Sequence, residues 1–332
     1  MTITLVIPTF NGAKFLKDCI ESVERQTLLP SEIIVVDDCS TDGTIDVINS
    51  NLMQFQIPIR VIQLMSNSGG PSKPINIGVG LASTEYVMVL DQDDVLRPNA
   101  LECLTTAIKD HPNAHVAIHF ASYYHEGSTA KPIQRGALAD QLSLFDEQIG
   151  GHRVIPRLRA LSLMVDFGNF VIGYPGFIFR RTAWQLKKGV DENLSIAGDM
   201  DFLSWLFCMG DVVLVPQIGY ERRVHGSNAS NNLSLSFFEM AIVYTKIAIN
   251  SRSEISNATY KQAVEKVRGT EYWFRQGHLF DRTAELQECL KSLGIRRFDL
   301  LNLRLKLVGE KFNAWVLKNP PVLSNYTKMK YG

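Results

Sequence analysis

Asp91-Gln92-Asp93-Asp94 sets three carboxylates within four residues, directly after the apolar run Tyr86-Val87-Met88-Val89-Leu90. Carboxylates crowded at a strand end repel one another and resist desolvation, so the arrangement asks for a neutralising cation, naturally a hard divalent ion with oxygen ligands. The competing reading is an acidic turn that caps a helix starting near Pro98, since Asp is an ordinary cap and turn residue. Three more clusters of the same character follow short apolar runs: Pro8-Thr9-Phe10-Asn11-Gly12, Asp37-Asp38-Cys39-Ser40-Thr41-Asp42-Gly43 and Asn67-Ser68-Gly69-Gly70.

The elements that must position these clusters are legible in the periodicity. Residues 3–7, 32–36, 59–64 and 86–90 read as buried strands, and the segments between them are amphipathic at helical spacing. In 13–26, for example, Phe15, Leu16, Cys19, Ile20 and Val23 share one face. That alternation predicts an α/β architecture, a parallel sheet with helices on both faces, and a crevice at the carboxyl ends where Thr9, Asp38, Asn67 and Asp91 fall. Further on, 115–120 and 177–181 read as strands, 199–209 as a helix, and 212–215 and 220–224 as two short strands. The chain turns helical beyond Phe237, which predicts a first domain over 1–235 and a C-terminal helical extension over 236–332.

Composition and missing motifs narrow the chemistry. Lys plus Arg and Asp plus Glu are equal at 34 each, so nucleic acid is not an expected partner. Five cysteines without a Cys-x-x-Cys pair fit a reducing cytoplasm better than secretion or a zinc site. No signal segment leads the sequence and no stretch reads as long enough to span a bilayer. Gly78-Val79-Gly80 lacks the third glycine of a dinucleotide fingerprint and lies inside a helix, which argues against nicotinamide or flavin. His111, His115 and His119 recur every fourth residue, but Pro112 and the alternation of Val116, Ile118 and Phe120 favour a strand with solvated or hydrogen-bonded histidines.

With Gly70-Pro71-Ser72-Lys73-Pro74-Ile75-Asn76-Ile77-Gly78, Phe179-Arg180-Arg181, Gly198-Asp199-Met200-Asp201 and Tyr220-Glu221-Arg222-Arg223-Val224-His225 added, roughly the first two thirds of the chain resembles a family-2 glycosyltransferase of the GT-A fold. The resemblance implies a Rossmann-like sheet and inverting transfer from a nucleoside diphosphate sugar, with a UDP-sugar the expected donor, to a glycan or lipid-linked hydroxyl. Asp93, with Asp91, matches the metal-binding element, for Mn2+ or Mg2+, and Asp91 also touches ribose or sugar. Asp38 matches the nucleobase acceptor, with Thr9, Asn11 and Asn67 around it and Phe10 either stacked on the base or packed at the sheet edge. Arg223 is expected on donor phosphate and His225 in the metal sphere. Asp199 is expected as general base, against a reading as helix N-cap, with Asp201 in reserve.

Many relatives carry an arginine where this chain has Ile75, which motivates an alternative: a catalytically silent relative that binds nucleotide sugars or glycans. A nucleotidyltransferase is a third possibility, but the triphosphate loop expected after the first strand is missing. Gly168-Asn169-Phe170 and Gly173-Tyr174-Pro175-Gly176 are candidate acceptor walls. From Lys291 onward, basic residues interleaved with leucines read either as a membrane-surface helix, placing the protein at the inner face of the cell membrane, or as a core helix with a basic solvent face.

Overall fold

Apolar, β-branched runs become strands where both faces can be covered. The computed structural model describes residues 2–52, 57–125, 133–134, 147–149, 151–251, 253–276 and 283–292. They divide into two compact units, 1–229 and 230–332.

In the first unit, β1 (Ile3–Thr9), β2 (Glu32–Asp37), β3 (Ile59–Gln63) and β4 (Tyr86–Val89) lie parallel in the order β3-β2-β1-β4. Every residue of β1 and β4 is buried, and each fully buried aliphatic side chain contributes about 1.5–3 kcal/mol. The connecting helices are α1 (Leu16–Glu24), α2 (Thr44–Leu52) and α3 (Ser72–Leu81). Helix α1 buries Leu16, Cys19, Ile20 and Val23, the stripe that the sequence spacing indicates. All four strands end on one edge, so the loops after β1, β2 and β4 meet there.

Beyond β4 the sheet becomes mixed. The elements are β5 (Val95–Leu96), α4 (Ala100–Asp110), β6 (Val116–His125), β7 (Ile133–Gln134), β8 (Glu147–Ile149), β9 (His152–Ile155), α5 (Arg157–Phe167), β10 (Phe177–Arg180), α6 (Arg181–Lys187), α7 (Gly198–Met209) and β11 (Val212–Val224). The path continues β4-β10-β6-β11-β9-β8, with β10 antiparallel to both neighbours and β5 paired to β11. Where the sequence suggested two short strands, β11 is continuous, with register shifts between Leu214 and Ile218 and between Ile218 and Tyr220. His119, on β6, is buried with Nε2 2.7 Å from the Pro175 carbonyl, and burial lowers its pKa to about 4, so it is a neutral core residue.

The second unit holds α8 (Leu233–Asn250), α9 (Asn257–Gln276) and α10 (Thr283–Ser292). By length and composition α8 does qualify as a membrane-crossing helix, with mean hydropathy 1.2, against the expectation that no segment would. Half of it is buried within the protein, however, and its buried Phe237, Phe238, Val243, Tyr244 and Ile247 are what a helix packed against α9 and α10 requires. The basic, leucine-rich stretch beyond Ser292 lies outside the described residues.

Candidate active site

The loop after β1 is clamped by a residue of the acidic motif. The Phe10 amide donates to Gln92 Oε1 at 2.9 Å, and Gln92 Nε2 donates to the Phe10 carbonyl at 2.9 Å. The approach is so close that a Cβ on Gly12 would stand 2.0 Å from Gln92 Oε1, which only glycine avoids. Asn11, at φ 47°, donates its amide to Ser40 Oγ and accepts the Thr41 amide on Oδ1 at 2.8 Å. Held this way, the Phe10 ring stays 43% exposed instead of joining the core.

Adjacent aspartates after β2 have different partners. Asp37 is an internal strut that accepts the Thr9 hydroxyl at 3.0 Å together with the Ser40 amide and hydroxyl. Asp38 accepts the Ser68 amide on both oxygens, at 2.9 and 3.0 Å, and the Ser68 hydroxyl at 2.9 Å. A carboxylate has about four acceptor positions, so Asp38 is oriented by Ser68 and still has capacity for one more donor. Thr9 is 2% exposed, and Asn67 bonds the Asp38 carbonyl and the Gly69 amide. Thr9 therefore braces the pocket from within the protein, whereas the Asn67 side chain is exposed.

Past β4, the Asp94 amide closes a turn onto the Asp91 carbonyl at 3.1 Å, and β5 then ties the motif to β11. Asp93 Oδ2 lies 2.9 Å from His225 Nε2 and 3.0 Å from Asn228 Nδ2. His225 is fixed by Ser227 Oγ, 2.9 Å from Nδ1, and by stacking on Phe15 with ring centroids 4.5 Å apart. Arg223 is committed elsewhere: its guanidinium donates to Asp18 Oδ2 at 2.8 Å and to the Asp93 carbonyl at 3.2 Å, and lies over Phe15 and Tyr124. The expected phosphate contact of Arg223 would have to be made from this tethered position. The cation among the carboxylates is its neighbour Arg222, whose charge opposes the upward shifts at Asp91, Asp94 and Asp199. Burial works against the Arg222 charge, but Asp94 first, then Tyr220, Tyr123 and Asp91, hold it protonated. Burial, then Asp93, pushes Asp91 up to about 7. Asp94 is driven well above the carboxylate range by burial and by Asp93 and Asp91.

Asp199 enters from the far side of the crevice. The N-cap of α7 is Ala197, so Asp199 is not the cap. Its Oδ2 accepts Asn169 Nδ2 at 2.8 Å and the Gly173 amide at 3.1 Å, and its Oδ1 accepts the Met200 amide at 2.7 Å. Burial raises its pKa to about 6, against the pull of the Met200 amide, Arg222, Asn169 and the Gly173 amide. Gly173, at φ 69°, has Asp91 Oδ2 only 3.5 Å from where a Cβ would stand. Asp201 is unavailable as a base, because Lys187 Nζ pairs with it at 2.8 Å and both side chains are nearly buried. In the expected acceptor walls, Phe170 stacks on Phe207 and Tyr174 packs on Phe177, both buried, while Asn169 and Gly173 are half-buried and bonded to Asp199.

A sequence profile for glycosyl transferase family 2 matches residues 4–184, more than half of the chain. The chain belongs to glycosyltransferase family 2. Among its relatives, the chondroitin synthase of Pasteurella multocida (strain Pm70) is 28% identical over 288 residues, which is 86% of this chain and 26% of that protein. The chain thus spans about a quarter of that relative's length. Staphylococcus aureus TarS 1-349 in complex with UDP-GlcNAc has a TM-score of 0.60 at 20% identity, covering 98% of this chain and 81% of that one. The mannosyltransferase PcManGT from Pyrobaculum calidifontis, in complex with GDP-Man and Mn2+, has a TM-score of 0.59 at 13% identity, covering 99% and 87%. These likenesses show the GT-A fold.

Within this family-2 chain, Ile75 is 1% exposed in the core, while Lys73 is exposed. Gln92, Ser68 and Arg222 had no assigned role from sequence, and Asn169 was expected only as part of an acceptor wall. Gln92 and Ser68 sit inside or beside motifs already singled out, whereas the roles of Asn169 and Arg222 depend on loop geometry and strand phase. Among the described residues, no three His, Cys, Asp or Glu side chains form a ready-made metal cage. That suits an ion carried largely by its substrate, since Mg2+-type sites often use one or two protein ligands plus phosphates.

Proposed function

We propose that this chain is an inverting glycosyltransferase that moves a sugar from a nucleoside diphosphate sugar, with a uridine diphosphate sugar the first choice, to a hydroxyl of a glycan or lipid-linked acceptor. One observation carries the reading: Gly173 donates its amide to Asp199 and leaves Asp91 Oδ2 3.5 Å from its Cβ position, so the acidic motif and a second carboxylate face one gap. The UDP-GlcNAc bound by TarS favours uridine, and the GDP-Man bound by PcManGT keeps guanosine as a comparison.

In this reading, Asp38 accepts a ring N–H of the nucleobase and the exposed Phe10 ring stacks on it. Asp93 and His225 fit a divalent cation, since a carboxylate oxygen and an imidazole nitrogen already converge at 2.9 Å and Ser227 orients the ring. When bound, such an ion neutralises charge on the departing diphosphate. Asp91 lies beside the donor sugar. Asp199 takes the proton of the acceptor hydroxyl as its oxygen bonds to the anomeric carbon and the bond from that carbon to the diphosphate oxygen breaks. Its pKa of about 6 leaves it mostly ionised at neutral pH.

A second reading, a silent nucleotide-sugar binder, is favoured by Ile75, an apolar core residue at a position where an arginine was expected. Release of nucleoside diphosphate from a panel of nucleotide sugars in Mn2+ buffer, for the parent and Asp199→Asn, decides between them. Asp199→Asn is expected to lose about 100-fold or more in turnover with nucleotide affinity unchanged. Nucleotide binding without turnover across the panel favours the silent reading, and a fully active Asp199→Asn overturns the base assignment.

A further inference from the structure

We propose that Asn169 is a positioning residue that, with the Gly173 amide, saturates Asp199 Oδ2 and leaves Oδ1 as the atom that receives the acceptor proton. The inference rests on the reading of Asp199 as general base and adds which oxygen acts and what holds it.

Each oxygen of an ionised carboxylate offers about two acceptor positions. Oδ2 has two donors, Asn169 Nδ2 at 2.8 Å and the Gly173 amide at 3.1 Å, whereas Oδ1 has the Met200 amide alone, at 2.7 Å. The Asn169 amide cannot be turned round, because a carboxylate accepts only and must face the NH2 group. Its Oδ1 is consequently directed elsewhere, and it is buried without a hydrogen-bond partner. The buried hydroxyls of Tyr174 and Tyr220 also lack partners, and Tyr220 Oη is 3.7 Å from the Gly173 Cβ position. A buried polar atom left unpaired is costly, so the unpaired Asn169 Oδ1 and Tyr174 hydroxyl near Asp199 suit a site that is completed by a hydroxylated ligand.

The loop that carries both donors is shaped for this purpose. Gly168, at φ 83°, ends α5 and Gly173, at φ 69°, precedes the Tyr174–Gly176 turn, so two left-handed residues bracket the segment that cradles Asp199. The charged and titratable groups facing Asp199 are Asp91 at the end of β4, Arg222 on β11 and Tyr174 in the turn. Asn169 differs from all of these in acting on Asp199 through a direct hydrogen bond. That bond favours the ionised form, so its loss raises the pKa of Asp199.

The test uses the full chain with aspartate carboxyl carbons labelled with 13C, titrated by NMR, with the Asp199 resonance assigned by its loss in Asp199→Asn. Asn169→Ala should move the Asp199 midpoint up by roughly one pH unit, and the near-isosteric Asn169→Asp should move it further, because it sets a second carboxylate against the first. In parallel, UDP release from UDP-N-acetylglucosamine with Mn2+ should show the acid limb of kcat moving to higher pH with the donor KM unchanged. Asp199 titrations that coincide in the parent and both variants overturn the positioning role, whatever the activity. An Asp199→Asn variant that keeps the parent rate overturns the base reading and leaves the hydrogen-bond result standing. If Asn169→Ala loses the native circular dichroism, Asn169→Asp decides by the same criterion.

Discussion

Asp199 and Asp201 are two residues apart in the first turn of α7, and their surroundings give them opposite chemistry. Asp201 accepts from Lys187 at 2.8 Å in a nearly buried pair, while Asp199 meets only neutral hydrogen-bond donors and the more distant charges of Arg222 and Asp91. Breaking a buried ion pair from one side strands the other charge, at about 3–5 kcal/mol. Asp201→Asn should therefore lower the thermal midpoint markedly while the folded fraction keeps its turnover. Asp199→Asn should do the reverse. Differential scanning calorimetry beside kinetics separates the two, and loss of turnover in folded Asp201→Asn would reassign the base. The family resemblance put Asp199 first with Asp201 in reserve, and what separates their surroundings is Lys187, fourteen residues away from Asp201, folding back from α6.

At the scale of elements, the two sides of the crevice are tied together by α3. Asn76 Nδ2 donates to the Val190 carbonyl at 3.0 Å and to Glu192 Oε1 at 2.9 Å, and the Val190 amide returns to Asn76 Oδ1 at 2.8 Å. Ser72 Oγ adds a bond to the Leu194 carbonyl at 2.7 Å. The segment that leads into α7, and so into Asp199, is thus anchored to the helix that follows the Asp38–Ser68 pocket. Asn76→Ala leaves backbone groups of Val190 without partners, at about 1–3 kcal/mol. The expected outcome is a fall in kcat larger than any rise in the dissociation constant for UDP, measured by isothermal titration calorimetry, since the base moves and the nucleotide pocket does not. Equal losses in both would place Asn76 in the nucleotide pocket instead. The strands β1 to β4 and their helices were legible from periodicity because burial on both faces leaves a strong apolar signal. Strand β11 was not. Pro216 and Gly219 punctuate its sequence, and the register shifts around Ile218 reset which side chains face inward. Tyr220, fully buried, fixes the new phase, so Arg222 falls beside Asp91 and Asp94, and Arg223 points to the opposite side of the strand, toward Asp18 and the Asp93 backbone. A count along the sequence cannot supply that phase, which is why Arg222 drew no attention in the sequence.

Over the first unit as a whole, these carboxylates set how stability depends on pH. Asp91, at about 7, and Asp199, at about 6, have folded pKa values above the ordinary carboxylate value near 4, so the folded chain binds their protons more tightly than the unfolded chain does. Their contribution is therefore fully present below about pH 4 and is lost as pH rises through 6 and 7. Other carboxylates run the opposite way: hydrogen bonds hold Asp42 and Glu32 below the usual range despite some burial, and their contribution is lost as pH falls through the acid region. A single stability curve mixes these trends, so the informative quantity is a difference. Asp91→Asn removes a carboxylate that burial and Asp93 disfavour, and it leaves the charge attraction between Arg222 and Asp94 in place. In EDTA, the variant and the parent should melt together near pH 4, and the variant should melt higher by a few degrees at pH 8. The gap should open as pH rises from about 4, the unfolded value, and be complete once pH passes the folded pKa of Asp91, about 7. A gap that is constant with pH would mean that Asp91 carries no electrostatic strain in the metal-free crevice, and the need for a cation at the end of β4 would lose its physical basis.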